Sequence, residues 1–210
     1  MIDYWNTSSQ TLIRAFLSHM RLTYLSLGIA SIIAMVIIYL FIHQDRWLDR
    51  IVYFFSALYS IPSYALFVLL IPFTGLGTTS ATIVLVLYSE YVLLRTFITG
   101  IKEIDPMIIE AALAMGMTNK ELFFNIQLPL AAQSIFSGLR LALTSIIGIA
   151  TIAATINAGG LGTIIFDGLR TQSLIKMLWG TLLTIFLTLL SNLILKLIEK
   201  LSLRQLKINL

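Results

Sequence analysis

A chain of 210 residues with 58% hydrophobic and only 11% charged residues falls well below the roughly 25% charged typical of a soluble domain, so water is not its main solvent. The formal charge of +4 is spread over connecting segments instead of forming a patch, which argues against a nucleic-acid surface. No cysteine is present, which excludes disulfides and cysteine metal sites, and His19 and His43, its only histidines, form no HExxH zinc pattern. The expected class is an all-α polytopic membrane protein, its length divided among spans of about 20 residues.

Residues 1–21 are mixed: Leu12, Ile13, Phe16, Leu17 and Met20 recur at helical spacing, with Arg14, Ser18, His19 and Arg21 between them. That pattern predicts a helix in the membrane interface, with His19 an interfacial side chain and not a metal ligand. No small-residue cleavage site follows the first apolar run, which is read as a retained span over 22–42 closed by charges and Trp47. A second span covers 51–71 and should kink at Pro62, which cannot donate a backbone hydrogen bond. The third covers 79–101. After the loop 102–130 comes a fourth span, 134–156, rich in the small residues that let membrane helices approach closely. The stretch AGGLGTIIFDGLRTQSL is too polar and glycine-rich for another span, and a fifth covers 177–198 before a tail at 201–210. The membrane domain is thus 22–200.

Glu90 lies near the middle of the third span, where an ionised carboxylate costs several kcal/mol unless paired, protonated or wet. Arg95, five residues on, falls on another face, so Glu90 needs another helix, another subunit or water. It is either a structural, hydrogen-bonded carboxyl or a transport-pathway group, with Tyr88 and Tyr91 offering aromatic faces to a cation. Gly159, Gly160 and Gly162, like Gly75 and Gly77, mark tight turns or close backbone contacts and lack the lysine of a phosphate loop. The chain is therefore not expected to bind ATP itself.

The loop DPMIIEAALAMGMTNKELFFNIQLP, residues 105–129, is the longest stretch polar enough to lie in water. Asp105 can cap a helix whose first position is Pro106, Gly116 supplies a stop, and Thr118 with Glu121 has the spacing of a capping box, with Met117 and Leu122 as a hydrophobic staple. Two short helices with a hinge follow.

Glu110, Ala111, Ala112, Gly116, Ile126, Leu128 and Pro129 resemble, in residue type and spacing, the EAA loop of the membrane subunits of bacterial ABC importers. The resemblance implies that this loop is cytoplasmic and that its first helix docks into an ATPase subunit, with ATP and magnesium held by that partner and no cofactor on this chain. It also implies an ATPase dimer, a second permease subunit, identical or related, and an extracytoplasmic solute-binding protein in a bacterial inner membrane. The segments IPFTGLG, LLRTFITGI and TIAATINAGGLGTIIFDGL are similar to the osmoprotectant branch, which carries glycine betaine, carnitine and choline. Methionine importers share the five-helix plan. Competing readings are a secondary transporter using Glu90 and a membrane scaffold or channel subunit.

With the loop inside, five spans put the N-terminus outside and the C-terminus inside. Ten of fourteen Lys and Arg residues then lie inside, as the positive-inside rule requires.

Overall fold

The computed structural model describes the backbone of residues 2–208 and the surroundings of side chains 4–204. Among them there is helix and turn but no strand.

Helix α1 (Ile2–Phe41) is one helix of 40 residues, about 60 Å long at 1.5 Å per residue. It holds no proline, and Gly28 is its only glycine, so no breaker stands near residue 21. Where an interfacial segment ending at 21 was expected, the helix simply continues. Its first half is also packed against protein: Leu12 and His19 are 0% exposed, which corrects the interfacial reading of His19.

The second predicted span is broken. Helix α2 (Asp45–Tyr59) and helix α3 (Ser63–Thr74) meet at 99° around Pro62. The residue before a proline is driven out of the helical region, and the ring removes a donor, so the ladder ends here. Ser60 and Ile61 tighten the last turn with N–H bonds to Ala57 and Leu58 at 3.2 and 3.1 Å. The Ile61 carbonyl accepts from the Tyr88 hydroxyl.

Helix α4 (Thr78–Lys102) is the central helix, with Val84, Leu85, Leu93 and Leu94 wholly buried. Beyond it lie helix α5 (Pro106–Ala114), the single turn α6 (Asn119–Glu121), a π-helical turn at Leu122–Gln127 and the short α7 (Leu128–Leu130). Helix α8 (Ala132–Ile152) then runs beside α4 and closes in a 3-10 turn, Ala153–Ile156. The small residues of the fourth predicted span bring α4 and α8 together: a methyl group at Gly138 would overlap Thr96, and one at Gly100 would overlap Ser134.

Helix α9 (Gly162–Arg170) is nine residues long, too short to span. Helix α10 (Leu174–Ile208) has 35 residues, extending the fifth predicted span at both ends and making residues 201–208 a continuation of that helix. Its inward face bonds to its neighbours through Ser191 from Tyr24 at 2.8 Å and Asn192 to Thr144 at 3.0 Å. Leu189, Leu193 and Leu197 are more than half exposed on an apolar outer face suited to lipid.

Four helices, α1, α4, α8 and α10, are long and apolar enough to cross a membrane, and the bent α2–α3 pair makes a fifth crossing if taken as one span. The connectivity leaves α5–α7 at one end of the bundle and the glycine loop with α9 at the other.

Candidate functional site

The segment 105–129 is a sequence of local stops and starts, each satisfied as its residues require. The Asp105 carboxylate accepts from the Met107 N–H at 2.9 Å, and Pro106 occupies the first turn of α5. At the other end, Gly116 adopts φ +88°, its N–H reaching the Leu113 carbonyl at 2.9 Å while Met117 N–H reaches Ala112 at 3.2 Å. These are the two bonds of a Schellman stop, which needs a left-handed residue in the Gly116 position.

Thr118 restarts the chain through a complete capping box. Its hydroxyl accepts from the Glu121 N–H at 3.3 Å, and its own N–H donates to the Glu121 carboxylate at 2.8 Å. That backbone bond, joined by one from the Thr118 hydroxyl, holds the Glu121 carboxyl below the usual carboxylate range.

The second helix then departs from the expected regular form. Leu128 N–H bonds to the Phe123 carbonyl, five residues back, through the π turn that precedes Pro129. In a regular helix the Pro129 ring would press on the Asn125 carbonyl and leave it without a donor; one wider turn accommodates the ring. Ile126, Leu128 and Pro129 are half-buried where this turn joins the bundle.

Helix α5 has two different faces. Ala112 is 2% exposed and seats the helix on the protein. Glu110, Ala111 and Gly116 are exposed, and around them stand Met107 at 74%, Leu113 at 45% and Met115 at 75% exposure. This nine-residue helix, too short to span, therefore presents large apolar side chains next to a carboxylate as an exposed patch of the kind that marks an interaction site. Beneath it lies a cavity of about 300 Å³ lined in part by His43, Lys102, Ile109, Glu110 and Gln127. Gln127 Oε1 is buried there without a partner among the described residues, a feature that its neighbours in the sequence did not signal.

The other predicted residues do not form one site. Tyr88 and Tyr91 share a face of α4 and meet Tyr59 of α2, with ring centroids 5.3 and 5.0 Å from it. Glu90 is about 200° and about 100° around the helix from Tyr88 and Tyr91. It is 1% exposed, and neither carboxylate oxygen has a partner among the described residues. Arg95 is exposed on another face, as the spacing implied.

Gly159 and Gly160 adopt φ +78° and +80° at the opposite end of the bundle from α5. Gly162 lies so close to the Thr151 carbonyl that a side chain there would overlap it. Following them, Asp167 bonds to Lys176 at 2.7 Å and Arg170 at 2.9 Å, which holds its carboxyl below the usual range.

Comparison with known proteins gives the family and the fold. The chain is 31% identical over 201 residues to the carnitine transport permease protein OpuCD of Listeria monocytogenes serotype 1/2a (strain 10403S), covering 95% of this chain and 90% of that one. It is 41% identical over 135 residues to the ergothioneine transport permease/ergothioneine binding protein EgtU of Helicobacter pylori (strain G27), a match covering 64% of this chain and only 24% of that longer protein. Its fold matches a chain of the MetNI methionine ABC transporter, solved in inward facing conformations, with a TM-score of 0.84 at 20% identity over 93% of this chain and 98% of that one. The profile of one family covers residues 26–208, nearly the whole chain, and the protein is therefore a member of the binding-protein-dependent transport system inner membrane component family.

Proposed function

We propose that this chain is the permease subunit of an ATP-driven importer for trimethylammonium zwitterions and related osmoprotectants such as glycine betaine, carnitine and choline. The observation that carries the coupling role is the exposed apolar face of α5 around Glu110 and Ala111, outside any span yet unsuited to water. An ATPase subunit is the partner this surface fits. When paired ATPases close on ATP, the α5 helices are pushed, and the π turn and Pro129 pass that displacement into α8.

The substrate class rests on the relatives. Carnitine and ergothioneine, for which two of them are named, share a trimethylammonium group and a carboxylate. The Tyr59, Tyr88 and Tyr91 rings at the α2–α3 break supply aromatic faces that suit such a cation. Glu90 lies apart from them, and the reading taken for it is a structural carboxyl, with a pathway role as the alternative that Glu90→Gln tests.

In this reading α5–α7 and the end of α10 face the cytoplasm, the glycine loop faces outward with the N-terminus, and two permease subunits form the translocation unit. A separate solute-binding protein delivers the substrate.

The test is uptake of labelled carnitine, glycine betaine, choline and ergothioneine into proteoliposomes carrying the whole complex. Uptake is expected to need ATP and to survive collapse of ion gradients. Uptake driven by a gradient without the ATPase would favour a secondary transporter and make Glu90 its residue of interest.

A further inference from the structure

His19 is wholly buried in α1, and both of its ring nitrogens are engaged by backbone groups distant in the sequence. The Leu161 N–H, in the glycine loop, donates to Nδ1 at 3.2 Å. Nδ1 must therefore carry the lone pair, which places the proton on Nε2, and Nε2–H donates to the Ile147 carbonyl of α8 at 3.1 Å. One ring thus ties together α1, α8 and the loop that follows the 3-10 turn.

The loop is shaped around that ring. A Cβ on Gly160 would stand 2.8 Å from His19 Nδ1, and one on Gly159 would stand 3.0 Å from the Ser18 hydroxyl. Both glycines have positive φ, and glycine loses more conformational freedom on folding than other residues, so the segment depends on contacts such as this one to hold its shape. An apolar side chain at position 19 would fill the space but leave the Leu161 N–H buried without an acceptor. Just before the glycines, at the end of the bundle away from α5, the 3-10 turn and its cap present Thr155 and Asn157, both exposed, with Asn157 held in the left-handed region at φ +62°.

We propose that His19 is a positioning residue for substrate delivery: its two backbone hydrogen bonds make α1, the far end of α8 and the glycine loop one body, and so fix the loop edge at Thr155 and Asn157 that meets the solute-binding protein. The proposal rests on the importer reading above. It assigns His19 no contact with substrate.

The experiment separates the two nitrogens. In His19→Asn the side-chain oxygen lies near the place of Nδ1 and keeps an acceptor for Leu161; in His19→Gln the amide nitrogen lies near the place of Nε2 and keeps only the bond to Ile147. Each variant is assembled with its ATPase and solute-binding protein in nanodiscs. Two quantities are measured: hydrogen exchange of the 157–163 segment, and the concentration of binding protein that half-saturates ATPase stimulation.

The Asn variant is expected to keep slow exchange and near-normal half-saturation. The Gln variant is expected to exchange faster and to need about fivefold more binding protein, the effect of roughly one lost hydrogen bond, with an unchanged maximal rate. Unchanged exchange in the Gln variant would overturn the tether. Faster exchange with unaltered half-saturation would overturn the delivery role, as would an equal fall in maximal rate for both variants. If no solute-binding protein stimulates the wild-type complex, the importer reading fails and takes the delivery role with it, while exchange still judges the tether.

Discussion

Gly116 has nothing within 4 Å of the place a Cβ would occupy, so the residue is there for its φ of +88° and not for space. Gly116→Ala is expected to weaken the Schellman stop by about 1 kcal/mol or more, read as faster hydrogen exchange at Gly116 and Met117. Gly116→Asp should go further and uncouple uptake from ATP hydrolysis while insertion in the membrane remains normal. Normal uptake by that variant would contradict the coupling role.

Glu121 supplies a pH dependence at the same hinge. Its folded-state value is lowered by the Thr118 bonds, so the capping box contributes stability above the ordinary Glu value of about 4.3 and loses it as the pH falls through the folded value. Protection of the 118–122 amides, taken relative to their intrinsic exchange rate, should fall on acidification below that range, and Glu121→Ala should abolish the dependence. These residues were legible in the sequence because every partner lies within five positions. His19 was not, since its acceptor and donor are 128 and 142 residues away, and only packing shows that α1 is covered there.

Among the elements, α4, α8 and α10 follow directly from hydropathy, which measures what a lipid-bound helix must be. The length of α1 does not, because polar residues at helical spacing read the same whether they meet headgroups or another helix. At the α2–α3 break, Pro62 announced the interruption, but the 99° turn depends on contacts made with α4. Tyr88 makes one of these, since its hydroxyl serves the Ile61 carbonyl that the break sets free. Tyr88→Phe leaves that carbonyl without its donor and is expected to cost about 1–3 kcal/mol, measured as reduced thermal stability in detergent. No loss of stability would show that the break holds without it. The π turn was hidden for a similar reason: Pro129 forbids a regular ladder but does not dictate how the ladder yields.

At the scale of the whole molecule, the bundle separates two working ends. One bears α5, seated by Ala112 and exposing Glu110, Ala111 and Met115; the other bears the glycine loop fixed to α1 and α8. Between them α4 and α8 are in close contact at Gly100 and Gly138, which suits them to carry displacement as a rigid pair. Glu90 of α4 is buried without a partner among the described residues, and Glu90→Gln, which keeps its shape, is expected to leave apparent affinity and maximal uptake unchanged. A change in either would place Glu90 in the pathway.

The natural chain has no cysteine, so a single Ala111→Cys provides a unique handle on the exposed face of α5. With the complex assembled in nanodiscs, a short thiol-directed photo-crosslinker at position 111 should capture the ATPase subunit in high yield, and the same reagent on Thr155→Cys, at the opposite end, should not. An intact, ATP-hydrolysing complex in which position 111 captures no ATPase would contradict the assignment of α5 as the coupling surface.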